Sequence, residues 1–223
     1  MDSPPLSRNG LSERYASAQV QAIPLNRDNQ RIPMPPVTQS LIIANVAMFL
    51  LQISGGVPLV EWFALWPGND FQPLQLVTYS FLHGGFGHLF FNMFALYMFG
   101  EDIERLFGSR YYLSYYFASV VAAALSHLGV TFLMGGPEIP TVGASGGIYG
   151  LLLAFAIYFP QRRVVLLFPP IPMAARTFVI LFGALELVLG VTGTAAGVAH
   201  FAHLGGMLGG WLMISHRRNG RIS

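Results

Sequence analysis

Four side chains in this sequence are of the types that acyl-transfer chemistry needs, and all four lie in apolar surroundings. Ser145 stands in Gly143-Ala144-Ser145-Gly146-Gly147, at the start of an apolar run. His203 lies inside a second such run, and His88 and Asn92 lie inside a third. Hydroxyl, imidazole and amide groups are costly in hydrocarbon, so their accumulation implies a buried, wet site. A serine hydroxyl is a poor nucleophile until a base takes its proton. Histidine suits that task because it titrates near neutral pH. Ser145 also opens a predicted helix, whose first backbone N–H groups lack intrahelical partners and whose dipole favours negative charge. Such donors can stabilise an oxyanion. His88 and Asn92 are spaced i, i+4, so they share a helix face and both can donate to the same oxyanion.

The elements that must position these groups are membrane spans. The chain has 223 residues, of which 53% are hydrophobic and 10% charged. A soluble domain carries about a quarter charged residues. The composition therefore predicts an all-α polytopic membrane protein. A spanning helix takes about 20 mostly apolar residues. Six candidates can be read, at residues 38–53, 87–106, 111–134, 145–159, 173–191 and 196–214. All twelve basic residues are arginine. Arg8, Arg14, Arg27 and Arg31 precede the first span, and Arg105 and Arg110 fall between the second and third. Arg162, Arg163 and Arg176 fall between the fourth and fifth, and Arg217, Arg218 and Arg221 follow the sixth. Every one lies on the same side of a six-span topology, while the opposite loops carry Glu61, Asp70 and Glu138. The positive-inside rule then puts both termini in the cytoplasm.

The expected organisation is a disordered cytoplasmic tail over 1–36, a six-helix membrane domain over 37–215 and a basic cytoplasmic tail over 216–223. The first 36 residues are polar and Pro-rich, without the apolar core of a signal peptide. The pI of about 9.1 does not point to nucleic acid, because the arginines flank apolar spans instead of forming a basic module. They suit anionic lipid on the inner leaflet. With no cysteine, thiolate and disulfide chemistry are excluded.

Residues 145–159 make only about 22 Å of helix, against a hydrocarbon core of about 30 Å. Pro160-Gln161-Arg162-Arg163 fixes the lower end of that span at the surface. Ser145 is therefore expected roughly 8 Å below the outer boundary, and residues 135–140 must dip inward to reach it. Irregular backbone at that depth is tolerated only against protein or water, which predicts a cavity open to the outside. The same ruler places His203, Asn92 and His88 near one depth. Gly143 and Gly147, Gly146 and Gly150, Gly205 and Gly209, and Gly206 and Gly210 are each four apart. Such small-residue faces let the fourth and sixth spans approach closely. His203, Gly206 and Gly210 share a face, which turns His203 toward Ser145. Tyr149, one turn after Ser145, is placed to pack on the imidazole.

Taken together, Gly143-Ala144-Ser145-Gly146, His88-Leu89-Phe90-Phe91-Asn92, Ala202-His203-Leu204-Gly205-Gly206 and Glu104-Arg105-Leu106-Phe107-Gly108-Ser109 resemble the rhomboid family of intramembrane serine proteases. The resemblance covers residues 41–214. It implies a rhomboid-like six-helix bundle in which Ser145 is the nucleophile and His203 the general base. His88, Asn92 and the Ser145 backbone N–H would bind the oxyanion, supported by Tyr149, Gly143 and Gly146. His83 would correspond to a family histidine in the first outer loop. The resemblance further implies a dyad without a carboxylate, and no metal or cofactor. Transmembrane helices of other proteins in the lipid bilayer would be the substrates, entering past the fifth span and the loop 192–197. A bacterial plasma membrane is the expected location, with the active site opening to the outer side. The Trp-Arg pair of many family members is missing; the loop carries Trp62 and Trp66-Pro67-Gly68-Asn69-Asp70 instead.

An isolated intramembrane serine or histidine more often joins helices than performs catalysis. That reading is given to His127 and His200, and His83 is read as a brace for the outer loop. Trp62, Trp66 and Trp211 read as interfacial aromatics. Glu186 has no role implied by the resemblance. A third triad member is conceivable there, but the reading favoured from sequence is a structural carboxylate beside the cavity, so Glu186→Gln is expected to retain most activity. Two other function classes compete. A transporter or metal-handling protein would use His83, His88, His200 and His203, but these lack acidic or cysteine company apart from Glu186. A rhomboid-like pseudoprotease would bind clients without cutting them, and the presence of both Ser145 and His203 argues against it.

Overall fold

The computed structural model describes residues 33–135, 139–166, 170–192 and 199–219. The elements below belong to the unit Met34–Ser223. In chain order they are α1 (Pro36–Ile53), α2 (Leu59–Phe63), α3 (Gln75–Thr78), α4 (Phe86–Phe107), α5 (Ser109–Met134) and α6 (Ser145–Tyr158). The strands β1 (Arg163–Val165) and β2 (Pro172–Ala174) follow, then α7 (Ala175–Thr192) and α8 (His200–Asn219). By length and composition α1, α5 and α7 suffice to cross a membrane. α6 is apolar but has 14 residues. α4 and α8 are long enough, at 22 and 20 residues. Their sequences are more polar: α4 carries His88, Asn92, Glu101, Asp102, Glu104 and Arg105, and α8 carries His200, His203, Arg217 and Arg218.

α5 is the central helix and packs mainly on α8 and α6. One buried core joins them, built on Tyr112, Tyr115, Tyr116, Leu96, Ile103 and Leu151. The Tyr115 hydroxyl donates to the Gly150 carbonyl at 2.7 Å and the Tyr79 hydroxyl to the Val120 carbonyl at 2.8 Å. These bonds satisfy buried hydroxyls where apolar packing alone would leave them unpaired.

One end of the bundle is closed by Glu104. Helix α1 begins with Pro36 at its first position and has no capping side chain of its own. Glu104 supplies the cap from α4: its carboxylate accepts from the Val37 N–H at 3.0 Å, the Thr38 N–H at 2.7 Å and the Thr38 hydroxyl at 2.8 Å. Ser109 Oγ adds a fourth bond at 2.7 Å. A carboxylate at a helix N-terminus meets both the orphan donors and the positive end of the dipole. This accounts for the Glu104–Ser109 spacing noticed in the sequence. Arginines gather at the same end: Arg162 pairs with Asp102 at 2.9 Å, and Arg217 stacks over the Tyr111 ring at 4.2 Å. Because Arg217 is held there, α8 runs to Asn219, four residues into the stretch read from sequence as a tail.

Two features were not anticipated. The α6–α7 connection is an antiparallel hairpin pairing Val164 with Met173. The α1–α4 connection is folded on the buried amide of Gln75, whose Oε1 accepts from the N–H groups of Trp66 and Gln72 at 3.2 and 3.1 Å. An isolated two-residue bridge then ties this connection to the segment entering α6: Leu65 and Thr141 exchange backbone bonds of 3.0 and 2.9 Å.

Candidate active site

Ser145 is the first residue of α6. The turn before it needs Gly143, whose φ of +127° is a conformation that L side chains rarely adopt. A Cβ at Gly143 would also stand 2.7 Å from Cε1 of His88. Glycine thus brings the backbone at the start of α6 directly against His88. The Gly143 N–H donates to the Tyr79 carbonyl at 3.0 Å and fixes the turn.

His203 lies in the first turn of α8, and its Nε2 is 2.9 Å from Ser145 Oγ. This pairing depends on close helix approach. A Cβ at Gly206 would collide with the Gly146 carbonyl oxygen, and one at Gly210 would lie 3.2 Å from the Gly150 Cα. The other stripe does different work: a Cβ at Gly205 would be 2.8 Å from the Ala122 carbonyl and one at Gly209 3.0 Å from that of Ala118. Gly206 therefore faces α6 and Gly210 the seam between α6 and the Tyr115 hydroxyl of α5, while Gly205 and Gly209 face α5. The sequence reading had assigned both stripes to the α6 contact. Tyr149 stacks on the His203 ring, with centroids 4.3 Å apart and planes 5° from parallel.

His88 and Asn92 sit on the opposite wall. The Gly84 N–H donates into His88 Nδ1 at 3.2 Å. In a neutral ring the hydrogen then resides on Nε2, the nitrogen turned toward Gly143. Among the described residues the buried Asn92 Nδ2 has no hydrogen-bond partner. Ser145, His203, His88 and Asn92, with His127 and Thr141, line one cavity of about 680 Å³. A smaller hollow of about 500 Å³, between Glu61, Trp62, Trp66 and Asp70, lies away from these groups.

The remaining histidines divide by neighbour. His127 Nε2 lies 2.8 Å from Thr141 Oγ1, linking α5 to the strand-like segment before α6. His83 is fully buried, with its backbone clamped by Gln52 through bonds of 2.7 and 3.1 Å. Among the described residues its two ring nitrogens make no hydrogen bond. Burial, and next the neighbouring His88, push the His83 imidazole down to about 4, although the Phe81 backbone pulls the other way.

The sequence reading missed the surroundings of Glu186. Its Oε2 is 2.6 Å from Nδ1 of His200, and its Oε1 is 3.0 Å from Nδ1 of His203. Oε1 also accepts the Tyr149 hydroxyl. An acidic residue in an apolar helix was itself the available signal. Its partners lie on two other helices, and nothing in their spacing announces the contact. Among the described residues, no three His, Asp or Glu side chains are arranged to hold a metal ion.

The model of the rhomboid domain matches residues 70–218. The chain belongs to the rhomboid family. Among its rhomboid relatives, mitochondrial Rhomboid protein 1 of Saccharomyces cerevisiae is 31% identical over 147 residues, spanning 62% of this chain and 40% of the yeast protein. Rhomboid protease GluP of Bacillus subtilis is 28% identical over 184 residues, 79% of this chain and 34% of the relative. Rhomboid protease GlpG of Yersinia pestis is 27% identical over 224 residues, 91% of this chain and 74% of the relative. The rhomboid chain thus matches well under half the length of the first two. As a rhomboid with several apolar helices, it is an integral membrane protein.

Proposed function

We propose that this rhomboid-family protein is an intramembrane serine endopeptidase that hydrolyses peptide bonds in or near transmembrane helices of other proteins. The observation that carries the reading is the 2.9 Å contact between Ser145 Oγ and His203 Nε2 in the wall of a cavity into which Asn92 presents an unpaired amide. Ser145 Oγ attacks the scissile carbonyl carbon as His203 Nε2 takes its proton. The resulting oxyanion is stabilised by the Ser145 N–H, His88 Nε2 and Asn92 Nδ2. His203 passes the proton to the leaving amine as the C–N bond breaks. Water then repeats the sequence on the acyl-serine, with His203 as base. A helical substrate must unwind first, because its carbonyls are already hydrogen-bonded, so helix-weakening residues near the cut favour cleavage.

In this reading α1, α4, α5, α6, α7 and α8 are the six spans and both termini are cytoplasmic. The membrane domain covers 37–215 between two cytoplasmic tails. The concentration of arginine contacts at the Glu104 end supports that orientation. The cavity then opens on the outer side of a bacterial plasma membrane. The entry loop at 192–197 falls almost wholly outside the described residues. Glycine-containing transmembrane substrate, reconstituted with the protein in liposomes, tests the proposal. Cleavage should be lost in Ser145→Ala and His203→Ala and be indifferent to chelators. Cleavage retained in Ser145→Ala would refute it.

A further inference from the structure

The family resemblance implies a serine–histidine dyad, yet a carboxylate stands behind the histidine here. We propose that Glu186 is a positioning residue that, by holding His203 in the tautomer and orientation needed to deprotonate Ser145, turns the pair into a Glu186–His203–Ser145 triad. The inference deepens the proposed function and rests on it.

The geometry supplies the argument. For His203 to accept the Ser145 proton, Nε2 must be bare and the ring hydrogen must sit on Nδ1. Oε1 of Glu186 is 3.0 Å from that Nδ1. Among the described residues Nδ1 makes no hydrogen bond, so this carboxylate is the polar contact it has. The contact is therefore electrostatic and not a hydrogen bond. Oε1 also accepts the hydroxyl of Tyr149, whose ring lies parallel to the imidazole 4.3 Å away. The second oxygen is taken by His200 at 2.6 Å. Tyr149 and His200 thus fix both oxygens of the carboxylate, and the carboxylate fixes the imidazole. When Nε2 takes the serine proton, the imidazolium carries its charge against an ionised Glu186, and no proton need move to the glutamate.

A purely structural Glu186, the reading favoured by sequence, would need only His200. It gives no reason for the other oxygen to sit against His203. The titratable groups around His203 are Ser145 and Tyr149 on α6, Glu186 on α7, His200 on α8 and, across the cavity, His88 on α4 and His127 on α5. Of these only Glu186 carries a carboxyl group.

The test is the rate at which a fluorophosphonate labels the full-length protein in detergent between pH 5 and 9, with thermal melting of each variant alongside. Glu186→Gln should slow labelling by about tenfold or more, with its melting midpoint near that of the parent. The acid limb of its rate profile should move to lower pH, because an uncharged neighbour no longer favours the imidazolium. Glu186→Asp should keep the parental acid limb while labelling more slowly. Equal labelling rates in parent and Glu186→Gln, or a slower rate with an unmoved acid limb, would overturn the inference. Should Glu186→Gln not fold, Glu186→Asp decides: labelling at the parental rate would overturn it. Ser145→Ala separates the two claims. Labelling that survives in Ser145→Ala removes the proposed function itself, whereas labelling lost there but unaffected in Glu186→Gln removes only the triad.

Discussion

Glu104 and Glu186 are both buried glutamates on long helices, at sites that treat polar groups differently. Around Glu104 the donors are backbone N–H groups and hydroxyls, and together they saturate the carboxylate. Around Glu186 the contacting groups are two imidazoles and a phenol. The first set does not titrate near neutral pH and can only hold a shape. The second contains the groups that accept and return protons. Among the described residues, Asn92 Nδ2 and both ring nitrogens of His83 are also buried there without a hydrogen-bond partner. Unsatisfied buried polar atoms cost stability, and the unpaired Asn92 amide in the wall of the Ser145 cavity fits a site arranged for a bound reactant. One end is built to keep α1 and α4 together; the other holds polar groups in readiness.

That contrast can be broken by experiment. At the Ser145 end, Asn92→Ala should lower kcat by about a hundredfold or more through loss of one oxyanion donor, while leaving the melting midpoint close to the parent's. A fall in stability with parental kcat would assign Asn92 to packing instead. At the other end, Glu104→Ala should cost about 3 kcal/mol of stability, because buried N–H groups and hydroxyls lose their acceptor. Fluorophosphonate labelling per folded molecule should be unchanged, and a selective loss of labelling would dissolve the division between the two ends. The smallest effect concerns acid. His83 has a folded pKa below its ordinary 6.5, at about 4, so the fold favours the neutral ring. Its contribution to stability is present above pH 6.5 and declines as the pH falls toward 4. Thermal melting across that range should show a shallower acid decline in His83→Phe than in the parent; identical declines would exclude His83 as a source.

The sequence made some of this arrangement legible and hid the rest for identifiable reasons. The i, i+4 spacing of His88 and Asn92 puts both on one wall, and the Gly206–Gly210 stripe brings α8 onto α6, because local helical period fixes those faces. The second stripe, Gly205 and Gly209, was misassigned because a period says which residues share a face but not which neighbour covers it. The Glu104 cap and the Glu186 contacts were illegible for the same reason. Thr38 is 66 residues from Glu104, and Tyr149 is 37 from Glu186. The folded α1–α4 connection hangs on one amide, Gln75, and no hydrophobic period marks it. The hairpin at Val164 and Met173 is three residues a side, too short for alternation to stand out.

The central claim is that His203 activates Ser145. Fluorophosphonate labelling of the reconstituted protein, followed by peptide mapping, tests it most directly. The account predicts a single adduct on Ser145 that disappears in His203→Ala while the variant stays folded. An adduct on another residue, or undiminished labelling of Ser145 in His203→Ala, would contradict it.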